Sequence, residues 1–540
     1  MTLLFGGATQ CHERLIQAGV EGLGYNVEIL PCPSKPDFQA GREYGNNGQC
    51  NPTYFTTGML VNHLKRLRDE EGMAVEDILK DYAFITAGAC GPCRFGMYEA
   101  EYRLALRNSG FDGFRVLVFQ QEGGMDQSAQ EVGLDLNARF FVALLNGFII
   151  GDLLNELKYQ IRPYETEAGA TDKAFEQLIT KLAGRMRAHS HDGTAYARTS
   201  SLLARLFNGV TEKTAQTILT QLFDEEYLAV LREGAALIDE TVEVDYTRPK
   251  PLVKVTGEFW AQTTEGDGNF RMFSFLESQG AEVLVEPVTT WLQYLLAQMS
   301  SRMRDQRNLP GSQSSGGVTA KIGRDINYHL GRLKLKLANR ILDREYDRIR
   351  AALGGTTHGQ INQLELQRVG HPYYNRKSSG GEGHLEVAKN IYYANKNLAH
   401  MVLSLKPFGC MPSTQSDGAQ AAVTSHFSDM IYIPIETSGE GDVNAHSRVQ
   451  MALGEAKAKS KEEFKSCVEQ TGYTLEEIRR FCMENPEYRR PIQEVPHHEG
   501  RVGKAANFVL SVAEIMDADP VWSARKHVQT APAVAMTGVK

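Results

Sequence analysis

The feature that most narrows the fold is a recurring unit: a short apolar run, a loop rich in glycine, proline or asparagine, then helical periodicity. Its clearest copy is Tyr82-Ala83-Phe84-Ile85, which runs into Thr86-Ala87-Gly88-Ala89-Cys90-Gly91-Pro92-Cys93-Arg94-Phe95-Gly96. Met97, Ala100, Leu104 and Ala105 then fall at helical spacing, and Gly110 closes the segment. Other apolar runs stand at residues 3–5, 26–30 and 114–119, and again at 252–256, 283–285, 401–405 and 430–435. Helical segments are expected at about 13–23, 55–68 and 270–277, with another following Asp442. Strands that alternate with helices pair in parallel through crossovers, so the pattern predicts α/β architecture with doubly wound parallel sheets.

The spacing divides the chain into four stretches. Residues 1–165 form an N-terminal α/β domain. Residues 166–248 form a helical insertion and linker, in which Ala174, Phe175, Leu178, Ile179, Leu182 and Met186 repeat at helical spacing. The stretch ends in Arg248-Pro249-Lys250-Pro251, stiff because proline fixes φ and biases its predecessor away from helix. Residues 249–460 form a second α/β domain, whose helical insertion at about 290–400 is broken by glycine- and serine-rich stretches at 311–317 and 378–383. Residues 461–540 form a C-terminal helical segment.

Composition removes several function classes. The 540 residues are 42% hydrophobic and 23% charged, ordinary for a globular chain. The net charge of −8, without a lysine- or arginine-rich run, argues against a nucleic-acid partner. No apolar run approaches the ~20 residues that span a bilayer, and Met1-Thr2-Leu3-Leu4-Phe5 reads as a first strand rather than a leader. A cytoplasmic location without a membrane partner is expected, with the eight cysteines as reduced thiols or metal ligands.

Six of those cysteines sit on five loops: Cys11, Cys32, Cys50, the pair Cys90 and Cys93, and Cys410. Four of the loops follow apolar runs, and the loop of Cys50 precedes a helix. The carboxyl edge of an open parallel sheet is where ligands bind, so two facing edges would bring thiols from distant segments together. Cys-x-x-Cys is compatible with a redox dithiol, half of a zinc site or part of an iron–sulfur site. Structural zinc usually takes two close pairs, and this chain has one. Dispersed loop thiols in a reducing compartment favour the cluster, with small buried residues in tight loops as the plain alternative. Cys467, beside Phe464, and Cys482, beside Ile478 and Phe481, read as core residues on an apolar helix face.

Other candidates are weaker. Glu258, Thr264 and Asp267 lie in loops after a strand and could meet substrate, as could Ser438-Gly439-Glu440-Gly441-Asp442, although turn and capping chemistry explains such segments equally well. Arg94 could tune a cluster's charge, meet an anionic substrate or pair with a carboxylate. His497-His498 reads as a solvated pair. No Gly-x-x-x-x-Gly-Lys-Ser/Thr loop and no Gly-x-Gly-x-x-Gly after a strand occurs, so no nucleotide is expected to bind to this chain itself.

Four stretches carry a family resemblance: Gly41-Arg42-Glu43-Tyr44-Gly45-Asn46-Asn47-Gly48-Gln49-Cys50-Asn51-Pro52, Ala89-Cys90-Gly91-Pro92-Cys93-Arg94-Phe95-Gly96, Gly257-Glu258-Phe259-Trp260 and Lys406-Pro407-Phe408-Gly409-Cys410-Met411-Pro412. They resemble the 2-hydroxyacyl-CoA dehydratase superfamily, above all its activase-related members. The resemblance implies two flavodoxin-like (Rossmann-like) domains with an oxygen-sensitive 4Fe–4S cluster between them, on three cysteines that map to Cys50, Cys93 and Cys410. A related branch holds a double-cubane 8Fe–9S cluster on six cysteines, which would draw in Cys11, Cys32 and Cys90. The resemblance also implies a separate ATP-dependent activator, an iron–sulfur ATPase, as electron donor, a CoA thioester as candidate substrate, and a dimer as a candidate assembly. The chain departs from the pattern in its long helical insertions, its extra thiols and the lack of a fused ATPase module. Three functions stay open at this level: a dehydratase (lyase) or ATP-coupled reductase, an electron-relay or activator component, and a zinc-stabilised binding protein.

Overall fold

The computed structural model describes residues 1–88, 93–120, 137–188, 212–307, 318–378 and 380–524. Within them lie two four-stranded sheets, all parallel. The first runs β2-β1-β3-β4, from β1 (Thr2–Phe5), β2 (Asn26–Ile29), β3 (Tyr82–Gly88) and β4 (Arg115–Gln120). The second runs β6-β5-β7-β8, from β5 (Leu252–Gly257), β6 (Glu282–Leu284), β7 (Met401–Pro407) and β8 (Tyr432–Thr437). Each sheet thus has its first strand inside its second and its third on the other side, the flavodoxin-like order. The fold is α/β, with two flavodoxin-like parallel-sheet units and helical insertions. Every expected apolar run became a strand, because a sheet covered on both faces needs apolar residues at successive positions.

Alternation of side chains sorts the first sheet into two apolar faces. Leu4, Phe84 and Val116 pack with the Asn51–Asp69 and Tyr98–Asn108 helices, while Leu3, Ala83 and Ile85 pack with Ile16, Val20 and Phe140. The second sheet is different. Val253, Val255, Leu403 and Leu405 make one apolar face against Phe273, Leu276, Val449 and Leu453. The opposite face presents Lys254, Thr256, Ser404 and Lys406, all buried.

The insertions build a third body. Cys11, Leu153, Phe175, Leu231, Tyr346, Cys467, Cys482 and Phe508 belong to one core, so segments far apart in sequence share a single apolar interior. Cys467 and Cys482 are buried there as free thiols. The helix Ala138–Ile161 enters this core and also covers the first sheet. By length and composition it could cross a bilayer, which corrects the reading that no segment approaches that length, but 72% of its most apolar window is buried within the fold. Two covered sides make a helix apolar all round.

One helix face also departs from its periodic reading. The helix Tyr98–Asn108 buries Tyr98, Glu101, Tyr102, Ala105 and Leu106, whereas Met97 is 60% exposed. Two aromatic rings set the rotation: Tyr102 packs edge-on against Phe84, and Tyr98 turns its hydroxyl toward Cys50.

Candidate functional site

The carboxyl edges of the two sheets meet. Asp267 N donates to the Pro33 carbonyl (3.1 Å), Asn51 N to the Phe408 carbonyl (3.0 Å) and Gln10 N to Glu265 (3.2 Å). The Phe55 and Trp260 rings, one from each unit, pack 5.7 Å apart.

Three cysteines come to this seam from three directions. Cys50 is the N-cap of the Asn51–Asp69 helix, Cys93 of the short turn Arg94–Met97, and Cys410 of the Met411–His426 helix. Proline follows at the first turn of both long helices, where its missing N–H costs nothing. Two glycines in left-handed backbone let the loops touch. A Cβ at Gly409 (φ 77°) would stand 3.3 Å from Cys50 Cα, and one at Gly381 (φ 105°) would stand 2.3 Å from Pro412 Cγ and 3.6 Å from Cys93 Cβ. Arg94 donates to the Gly48 carbonyl, tying the Cys93 turn to the loop of Cys50. The partner of Arg94 is therefore a backbone carbonyl.

Carboxyl groups surround the thiols. Glu258 caps the Phe259–Thr263 turn and accepts from Ala261 N (2.9 Å). Glu382 accepts from Phe259 N (2.8 Å), and Glu386 accepts from the Ser413 hydroxyl (2.7 Å) and from Ser416. Burial pushes the Glu258 and Glu382 carboxyls above the ordinary carboxylate range, helped by Glu382 in the first case and Glu386 in the second, so that they hold protons more readily than free glutamate. Burial, aided by Glu382, pushes the Cys93 thiol up to about 12, and burial with Glu258 pushes Cys410 up further. Cys50 is raised by burial too, although its Sγ lies 3.2 Å from the Thr53 hydroxyl and 3.0 Å from the Tyr98 hydroxyl, contacts that favour a thiolate.

Further along lies a charged layer that sequence reasoning missed. Lys254 pairs with Glu286 at 2.6 Å, both side chains nearly inaccessible. Lys389, buried on the Gly383–Asn395 helix, feels the carboxylates of Glu286, Glu386 and Glu382. Glu286, Glu382 and Lys389 line a small cavity of about 20 Å³ together with Gln262, Thr263 and Trp291. The one local signal was a helix whose otherwise apolar face carries Glu386 and Lys389 three positions apart.

The remaining candidates lie elsewhere or serve the backbone. Cys32 is exposed against Gly266, and Cys11 is buried at the start of the Gln10–Glu21 helix. Both thiols face Glu265, and the charged groups around them are none of those around the trio. Cys90 lies outside the described residues. Thr264 donates its N–H to the Trp260 carbonyl (2.7 Å), and Asp267 accepts from Lys35 N (3.0 Å) and Arg271 (3.0 Å), so both build the turn and the seam. Gly439, in the loop after β8, closes on the Phe38 ring, and Asp442 pairs with Lys35 (3.3 Å). His497 is exposed and His498 half-buried, its backbone N–H donating to Asn507 (2.7 Å) and its ring bonded with the Ser511 hydroxyl (3.1 Å).

Among the described residues, no three Cys, His, Asp or Glu side chains close on a point that would hold a single metal ion. A cubane asks for something else, because each thiolate binds a different iron and the ligands surround a space instead of meeting. The trio fits that demand in chemistry: three free thiols on opposed loops, two of them at the N-termini of long helices whose dipoles favour negative charge. No family model matches the sequence, and no curated protein does.

Proposed function

We propose that this chain is a cytoplasmic iron–sulfur redox protein of the 2-hydroxyacyl-CoA dehydratase type. Cys50, Cys93 and Cys410 hold a 4Fe–4S cluster, and a partner ATPase with its own cluster supplies a low-potential electron. The observation that carries this reading is the meeting of three free N-cap cysteines at the seam of two sheets. Thiols pushed upward by burial make poor free thiolates, and a bound metal is what reverses that preference.

The cluster's contribution would be one-electron reduction of a substrate held beside it. The protein's own groups do the rest. With Cys50 as a thiolate ligand, the Tyr98 and Thr53 hydroxyls at 3.0 and 3.2 Å would donate to its Sγ, the kind of contact that tunes a cluster's potential. Glu258 and Glu382, their carboxyls raised by burial, take up protons beside the thiols more readily than free glutamate. Loss of a hydroxyl group and reduction of a multiple bond both consume a proton, so these two carboxyls serve dehydratase and reductase chemistry alike.

The test is iron and sulfide analysis, with a visible spectrum, of protein purified without oxygen. About 4 irons per chain is the expected result. Zinc without iron would overturn the reading. About 8 irons would instead bring Cys11 and Cys32 into a double-cubane site. Turnover of acyl-CoA thioesters with an ATPase activator and ATP then separates an enzyme from an electron relay.

A further inference from the structure

Among the described residues three non-glycine residues adopt left-handed backbone, and two of them are consecutive: Phe270 (φ 60°) and Arg271 (φ 50°). A β-carbon makes that region unfavourable, and adjacent exceptions persist only where the surroundings impose them. Here the Phe270 ring is buried in the core of the second sheet, and its carbonyl accepts from His446 Nε2 (2.8 Å). Arg271 N donates to the Gly266 carbonyl (2.9 Å), and its guanidinium Nε donates to Asp267 Oδ1 (3.0 Å). The other oxygen of the same carboxylate, Oδ2, accepts from Lys35 N of the first unit (3.0 Å). One side chain thus clamps the strained turn with one oxygen and the opposite unit with the other.

The strained turn also ends the loop that closes the seam. That loop carries Glu258 beside the thiols and Trp260 against Phe55, and it reaches the first unit through Glu265 and Asp267. Gly266 lies so close to that unit that a Cβ there would stand 2.6 Å from the Pro33 carbonyl oxygen and 2.7 Å from Cys32 Sγ. We propose that residues 258–271 are a strained latch over the cysteine seam. Contact with the first unit holds Phe270 and Arg271 left-handed, and release of that contact relaxes them and uncovers Cys50 and Cys410. Strain and contact oppose each other, so the closed form is one of two states in balance rather than a lock. The latch's role in admitting substrate or metal rests on the reading of the seam as a cluster site, but the motion itself needs no cluster.

Alkylation of the metal-free, full-length chain with N-ethylmaleimide, read cysteine by cysteine by mass spectrometry, tests it. Cys50 and Cys410 are 6% and 7% exposed, so they react through opening. Asp267→Ala, which removes both clamping hydrogen bonds, should speed the two reactions about tenfold. Cys467 and Cys482, in the core of the insertions, should keep their rates. Arg271→Ala and Arg271→Gly both lose the guanidinium, but only alanine keeps the left-handed strain. Cys50 and Cys410 should therefore react about threefold to tenfold more slowly in Arg271→Gly than in Arg271→Ala. Acceleration of all four cysteines in step, equal rates in the two Arg271 variants, or no response to Asp267→Ala overturns the proposal. Iron content is read on separate samples purified without oxygen. An iron-free chain with a working latch refutes the cluster alone, and an iron-loaded chain whose stripped form ignores Asp267→Ala refutes the latch alone.

Discussion

The two sheets share a strand order and differ in what they bury. The first is apolar on both faces, with Leu3, Ala83 and Ile85 on one and Leu4, Phe84 and Val116 on the other. The second keeps one apolar face, while on the other Leu252, Leu284 and Val402 give way to Lys254, Thr256, Ser404 and Lys406, opposed by Glu286, Glu386 and Lys389. The same topology thus supports two tasks. The first unit supplies Cys50 and Cys93 from loops and spends its interior on stability. The second supplies one thiol, Cys410, and the fixed charges and proton-holding carboxyls of the cavity. Function in this molecule lies in what a sheet buries, since the order of its strands is common to both units.

The largest effect should come from breaking the charged layer. Lys254→Met leaves Glu286 buried beside an apolar side chain, and equilibrium urea unfolding should show a loss of about 3–5 kcal/mol. The double variant Lys254→Met/Glu286→Leu should recover most of it. Leu4→Met in the first sheet, a swap of similar volume, should cost less than about 1.5 kcal/mol. If the single and double charge variants were equally unstable, the pair would not be the unit that matters.

A smaller effect is expected where the units touch. Gly409→Ala forces a left-handed alanine against Cys50, for about 1–2 kcal/mol, and parts the loops of Cys50 and Cys410. Iron retention should fall in this variant, whereas Gly24→Ala, also left-handed but in open space, should keep its iron. Equal retention would mean that the two loops need not touch.

Two buried groups, one from each unit, should shift stability with pH in opposite directions. His63, buried in the first unit, is pushed down to about 4 by burial and by Arg66, despite Glu28 at 3.5 Å. The unfolded chain protonates such a histidine near 6.5 while the folded chain does not, so stability is lost as pH falls from 6.5 toward 4. Glu382 is raised, so the folded chain keeps a proton that the unfolded chain releases, and stability is lost as pH rises above the usual 4.5. Thermal midpoints of the metal-free chain across pH should flatten on the acid side in His63→Gln and on the neutral side in Glu382→Gln. The same slope change in both variants would remove the distinction. The smallest effect is a null one: Mg-ATP titrated into the chain should give no binding isotherm, because the sequence carries no phosphate-cradling motif.

Much of this comparison was written in the sequence, and one half of it was not. The strands were legible because covered parallel strands are short apolar runs; the loops of Cys93 and Cys410 followed from where such runs end, and that of Cys50 from where a helix begins. The rotation of the Tyr98–Asn108 helix was misread because two tyrosines with polar tips, not Met97 and Ala100, turned inward. The charged layer was invisible because its partners are distant in sequence: Lys254 meets Glu286, and Glu386 meets Ser413 and Ser416. Local pattern reports amphipathicity and carries no record of which buried charges will be paired. Glu382 was hidden for a further reason, since a stretch rich in glycine and serine around it read as a break. It proved to be the cap of a deeply buried helix.

The most direct measurement compares iron content across cysteine-to-serine variants purified without oxygen. Cys50→Ser, Cys93→Ser and Cys410→Ser should each lose most of the iron and the visible absorbance. Cys11→Ser, Cys32→Ser and Cys467→Ser should keep both, because Cys11 and Cys32 lie beside Glu265 rather than among the carboxyls of the trio, and Cys467 is buried in the core of the insertions. Full retention in the first three, or loss in the second three with the first three intact, would contradict a cluster held between the two sheets.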